Sequence, residues 1–142
     1  MKQTDITVAK ILTYSGTLPL IACVISSVLP VTGLDRSLLA QTYSAIIVSF
    51  LCGIYWAAFL FFPEKCPRYY MIISNVVALL AWGSLLIAVH GITRFLLPLL
   101  FLFLFALDTR LRELAIIPEW FYILRRNATA IVVFCLVVLA WL

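Results

Sequence analysis

Uncharged runs at 11–34, 37–63, 69–93, 95–107 and 127–142 are separated by clusters of charge, the longest of them 108–126. A hydrocarbon core of about 30 Å takes roughly 20 residues of helix, so runs of this size are read as membrane crossings. No water is available in that core to satisfy backbone N–H and C=O groups, which makes helix the form each run takes. The pattern predicts an all-α integral membrane protein, a five-transmembrane-helix bundle with spans at 11–31, 38–62, 69–90, 92–109 and 126–142 forming a single membrane domain over 1–142.

The run 95–107 is short, because thirteen residues at about 1.5 Å rise cover only roughly 20 Å. The basic residues decide how it is read. With five spans, Lys2, Lys10, Lys65, Arg68, Arg110, Arg112, Arg125 and Arg126 share one side, and Arg36 and Arg94 lie opposite. With four spans the split becomes four against six and the positive-inside bias is gone. The fourth run is therefore expected to span, with the N-terminus inside and the C-terminus outside, and with Arg94 reaching outward along its own stem.

Composition strengthens the membrane reading. The chain is 65% hydrophobic and 11% charged, with a mean hydropathy of +1.17, whereas charged residues make up about a quarter of a soluble domain. Eight bases and five acids on the inner side leave +3 there, a surplus that suits an anionic inner leaflet. The bases are dispersed over short segments, which argues against nucleic acid as a partner.

Lys2 and Lys10 ahead of an apolar run could open a secretory signal, and Leu20-Ile21-Ala22-Cys23 fits a lipoprotein cleavage pattern. Residues 24–31 stay apolar, where a lipoprotein would turn to a polar linker, so an ordinary first helix is the expectation and lipidation of Cys23 is left open. Cys23, Cys52, Cys66 and Cys135 lack C-x-x-C or Cys/His spacing, and neither a metal site nor a redox pair is expected from them. They read as small apolar fillers.

Within the spans, Ala45, Ser49, Gly53 and Ala57 recur every four residues, one stripe of small side chains on which a neighbouring helix backbone could pack closely. Gly53 is expected to touch another helix. Trp82 lies midway along the third span, away from the interfaces that tryptophan favours, and its indole N–H needs a partner such as Ser49 or a ligand carbonyl. Ser49, Trp56 and Trp82 are the candidate lining of an intramembrane pocket. Ser74 and Asn75 read as hydrogen-bonding glue between helices. His90, the sole histidine, falls at an outer helix end with no ionisable neighbour to relay a proton.

The inner segment 108–126 holds the densest polar material. Asp108 and Arg112 stand four apart, a pairing distance on a continuing helix, with Arg125 as the other candidate partner for Asp108. Pro118 permits a fresh helix start and Trp120 an interfacial anchor. Asp108, Arg112, Pro118, Trp120 and Arg125 thus form either an anchoring charge belt or a docking surface for a partner or an acidic headgroup. An ion pair there is expected to be reached by water, so that Asp108→Asn leaves folding nearly intact.

Several of these segments, 12–19 with Tyr14, Gly16 and Pro19, 43–56 with Tyr43, Ser49, Gly53 and Trp56, then Asp108 and 118–125 followed by Thr129, resemble the domain-of-unknown-function 3429 family. The resemblance covers nearly the full length and implies small multi-spanning bacterial inner-membrane proteins related to a mitochondrial transmembrane protein of animals, with no assigned activity. Where the family is expected to carry His-Trp-Gly this chain has Tyr55-Trp56-Ala57, so a role resting on that histidine lacks its carrier. In size and span number the chain is also similar to the tryptophan-rich sensory proteins, without their loop patterns.

No constellation for catalysis is found, and no cofactor or metal is expected. The leading expectation is a non-enzymatic component or assembly factor of a membrane complex, associating with a protein partner or with a second copy. The alternative is a binding protein or carrier for a lipid, quinone or other apolar ligand within the bundle. An ion-coupled transporter fits less well, since no paired repeat is evident.

Overall fold

The computed structural model describes residues 3–29, 33, 35–86 and 93–141. Helices follow one another as α1 (Gln3–Ser15), α2 (Leu18–Val28), α3 (Arg36–Phe61), α4 (Tyr69–Leu86), α5 (Thr93–Glu113) and α6 (Glu119–Trp141). The first of them starts well ahead of position 11, because Asp5 and Lys10 sit on an exposed face and do not interrupt it. His90 and Lys2 lie outside the described residues.

α1 and α2 form one nearly continuous apolar rod over Gln3–Val28, jointed at Gly16 and Thr17. Pro19 in the first turn of α2 has no N–H to give to a continuing ladder, which starts a new helix there at little cost. Tyr43 Oη on α3 donates to Gly16 O at 2.7 Å and tethers the joint. α3 opens on Asp35, whose side chain accepts from Leu38 N at 3.0 Å, a cap worth about 1 kcal/mol.

Four helical stretches, Gln3–Val28, α3, α4 and α6, are long and apolar enough to cross a membrane. α5 differs in kind. It runs 21 residues but carries Arg94, Asp108, Arg110, Arg112 and Glu113, and Pro98 interrupts its hydrogen bonding one turn in. Its apolar side chains Leu97, Phe101, Leu104 and Leu111 are each at most 2% exposed, so it is the most deeply packed helix for its length. Around it gather Val48, Leu51 and Tyr55 of α3, Leu136 of α6 and Tyr70, Val77 and Ala81 of α4.

Arg94 Nη1 at the start of α5 lies 3.5 Å from Ala140 O at the end of α6, and the Phe95 and Trp141 rings meet edge to face at 6.4 Å. At the other end Phe105 stacks on Tyr122 at 5.3 Å, which makes α5 and α6 an antiparallel pair. Large apolar side chains point outward all round the bundle, among them Phe50, Phe61, Leu79 and Phe134, each more than 60% exposed. In water such a coat would be a liability; against lipid it is the expected exterior.

α5 ends in a Schellman turn. Ile116 N donates to Leu111 O at 3.0 Å and Ala115 N to Arg112 O at 2.9 Å, with Ala115 at φ 53°. That left-handed position normally takes glycine, and alanine there costs roughly 1–2 kcal/mol. After allowance for the extra freedom glycine gives the unfolded chain, Ala115→Gly is expected to raise unfolding stability in detergent by about 0.5–1 kcal/mol. Ala115→Val should lower it.

Candidate functional site

Three polar side chains meet at one depth inside the bundle. Tyr55 stands six residues before the end of α3, Asp108 five before the end of α5, and Arg125 six after the start of α6. At about 1.5 Å per residue each lies some 8–9 Å in from the same end of the bundle. Asp108 is 0% and Arg125 6% exposed.

The geometry joins them into one unit. Arg125 Nε donates to Asp108 Oδ2 at 2.9 Å; Nη2 lies 2.9 Å from the same oxygen, but off the line of a hydrogen bond, and has no acceptor. The Tyr55 hydroxyl is 2.8 Å from Asp108 Oδ1 and 2.7 Å from Leu104 O, sharing one proton between two acceptors. Asp108 therefore has both oxygens occupied. Tyr55 is fixed in turn by stacking on Tyr70, 6.1 Å away between centroids.

This arrangement corrects the expectation of a wet, modest pair. Of the two candidate partners, Arg125 takes Asp108, because the α5–α6 hairpin brings it across at the same level. Arg112 turns away, donating from Nε to Glu119 Oε2 at 2.6 Å and lying 4.6 Å over the Tyr122 ring. The five inner-segment residues do not form one surface: Asp108 and Arg125 are core, whereas Arg112 and Pro118 are exposed and Trp120 is half-buried. A carboxylate thus lies inside the bundle.

The stripe Ala45, Ser49, Gly53, Ala57 is split by the rotation of α3. Ala45 is 4% exposed and buried against the bundle, whereas Ser49, Gly53 and Ala57 face outward. A Cβ built on Gly53 meets nothing within 4 Å, so the expected contact with another helix is absent among the described residues. The buried face of α3 is a different one, with small residues Ala40, Ser44, Ala45 and Ala58 alongside Val48, Leu51, Cys52 and Tyr55. Ser49, Trp56 and Trp82 likewise enclose no pocket. Ser49 Oγ turns back to Ala45 O at 3.0 Å, Trp56 Nε1 donates to Asn75 Oδ1 at 3.3 Å, and Trp82 is 58% exposed.

A cavity does exist elsewhere. A cleft of about 390 Å³ lies between α1, α3, α5 and α6, lined by residues that include Ala9, Leu12, Thr13, Ile47, Leu51, Phe101, Phe121, Arg125, Ala128 and Thr129. Its volume falls in the range of small-molecule sites, about 300–1,000 Å³. α1 contributes one wall yet has no buried residue, so that wall is the least firmly packed. Thr13 Oγ1 donates to Ala9 O at 2.8 Å and Thr17 Oγ1 to Tyr14 O at 2.8 Å; by contrast Thr129 Oγ1, 4% exposed as a residue, has no partner.

Among the described residues, no three His, Cys, Asp or Glu side chains come together in a way that could hold a metal ion. Cys66, between α3 and α4, is 2% exposed, and burial pushes its thiol pKa up, which disfavours the reactive thiolate. Tyr55 and Thr129 escaped the sequence-based choice of site residues. Counting residues from the charged end of each helix would have put Tyr55, Asp108 and Arg125 at one level.

The chain belongs to the DUF3429 family, described as proteins of unknown function, whose family model matches residues 6–141. No curated protein and no solved structure matches the chain.

Removing one member of a buried ion pair leaves the other uncompensated, at about 3–5 kcal/mol. Asp108→Asn is expected to lower unfolding stability in detergent by an amount of that order, and Tyr55→Phe by about 1–2 kcal/mol. Arg112→Gln, at the surface, should leave it nearly unchanged. A denaturant titration of the three variants checks the order.

Proposed function

We propose that this protein is a five-span helical membrane protein that holds an apolar molecule in the cleft between α1, α3, α5 and α6. The observation that carries the reading is an apolar cleft of about 390 Å³ whose lining Arg125 is itself neutralised by Asp108. Pockets of this kind bind by apolar burial and orient by a few polar groups. The reading is of binding, not catalysis, since among the described residues no nucleophile–base pair or metal-ligand cluster lines the cleft.

Supporting five spans, α5 runs alongside α6 from one end to the other and reverses direction with its neighbours, and its one acid at depth is neutralised by Arg125. The basic residues Lys10, Lys65, Arg68, Arg110, Arg112 and Arg126 all belong to one end, which favours an inner N-terminus, an outer C-terminus and an anionic inner leaflet. The membrane so proposed is the bacterial inner membrane, or the mitochondrial inner membrane in a eukaryotic cell. A phosphatase reporter is expected to be active when fused after Trp141 and inactive after Lys65; the reverse pattern refutes this topology.

A second reading, a component or assembly factor of a membrane complex, is favoured by the outward turn of Ser49, Gly53 and Ala57. Small residues facing lipid are where a helix from another protein, or from a second copy, could approach closely. One experiment separates the two. Native mass spectrometry after mild extraction should find a small molecule on the wild type and none on Ala9→Trp, which fills the cleft from its loosest wall. A defined protein partner lost on Gly53→Leu, with no small molecule retained, would favour the second reading.

A further inference from the structure

Where α5 hands over to α6, three arginines have an acid and a fourth does not. Arg110 Nη1 pairs with Glu113 Oε2 at 2.9 Å, Arg112 Nε with Glu119 Oε2 at 2.6 Å, and Arg125 Nη2 with Asp108 Oδ2 at 2.9 Å. Arg126 forms no ion pair among the described residues. It is exposed and stands seven residues into α6 from Glu119, about 10 Å from that end of the helix. Water is scarce at that depth on a face that meets lipid, so a lone guanidinium there calls for an anion.

Arg126 heads a groove of about 430 Å³ on the outside of the bundle, walled by Leu102 and Phe105 of α5 and by Ala130, Val133 and Val137 of α6. It is the one charged residue of that lining. Arg126, Ala130, Val133 and Val137 recur at four, three and four residues, a single stripe along α6, and the alanine leaves space that a larger side chain would fill. Arg126 and Val137 are eleven residues apart, roughly 16 Å, which is about half of a hydrocarbon core of about 30 Å. The groove therefore has the length of one leaflet, with its cation at the headgroup end. It lies on a different face of α6 from the cleft beside α1.

We propose that this groove is a specific site for one anionic phospholipid, whose phosphate pairs with Arg126 while an acyl chain lies along α6 toward Val137. A guanidinium offers a phosphodiester two parallel donors, and basic recesses between spanning helices suit such headgroups. A zwitterionic lipid brings its own cation to the phosphate and has less to gain. The leaflet concerned is the one at this end of the bundle, whichever way the chain is inserted.

The test is a titration of the full-length protein, delipidated in detergent and read by native mass spectrometry, with dioleoylphosphatidylglycerol, dioleoylphosphatidylcholine and inorganic phosphate as probes. One phosphatidylglycerol is expected to bind at least about tenfold tighter than phosphatidylcholine, on the strength of a charged hydrogen bond, and phosphate, lacking a chain for the groove, should not displace it. Arg126→Gln should erase that preference, and Ala130→Trp, which fills the groove, should weaken both lipids. Arg68→Gln removes one exposed charge from the same end of the bundle outside the groove and should leave the preference within about twofold. Equal binding of the two lipids by the wild type overturns the inference. So does an equal loss on Arg68→Gln and Arg126→Gln, which would mean a diffuse basic surface, and so does displacement by phosphate, which would mean an anion site without a lipid.

Discussion

A guanidinium held among apolar helices cannot be left alone, and the meeting of Arg125 with Asp108 is the constraint on which this bundle depends. The transfer of either charge from water would cost several kcal/mol, and only a close, oriented partner offsets it. Contact at 2.9 Å sets the rotation of α5 and α6 about their axes and their relative level. Once those are set, Leu104 and Leu111 face inward beside Asp108 and become fully buried, Thr109 comes within 3.3 Å of Tyr122, and the exposed ends meet through Arg112 and Glu119. Tyr55 extends the constraint to α3, because its hydroxyl reaches both the carboxylate and the α5 backbone.

The same pairing shapes the cleft. Arg125 serves two surfaces: one edge of its guanidinium holds Asp108 and the residue as a whole lines the cavity. Charge neutrality within the bundle therefore becomes charge neutrality of the cleft wall. The space itself follows from small residues at the crossing, Ala9 and Gly16 on one side and Ala128 on the other, which keep α1 from filling what α3 and α6 leave open.

Much of the architecture was legible in the chain. Uncharged runs marked the helices, because lipid permits little else, and the spacing of Asp108 from Arg112 and its distance along the chain from Arg125 marked both as candidate partners. What could not be read was rotation. Periodicity places Ala45, Ser49, Gly53 and Ala57 on one stripe but does not say which way α3 turns it, since in lipid both faces of a helix are apolar and the usual inside–outside contrast is lost. Burial of Asp108 was hidden for a related reason: a charge near a helix end resembles a snorkelling residue until its neighbours are known. The cleft, assembled from residues of four helices far apart in the chain, left no local signature.

The central claim, that Asp108 and Arg125 act as one unit, is tested most directly by a double-mutant cycle in detergent using Asp108→Leu, Arg125→Met and the two together. Each single change strands a buried charge, while the double change removes both and substitutes apolar volume. A coupling energy of about 3 kcal/mol or more is predicted, with the double variant nearly as stable as the wild type or more so. Additive losses, with coupling near zero, would mean that water reaches each charge independently and would contradict the account.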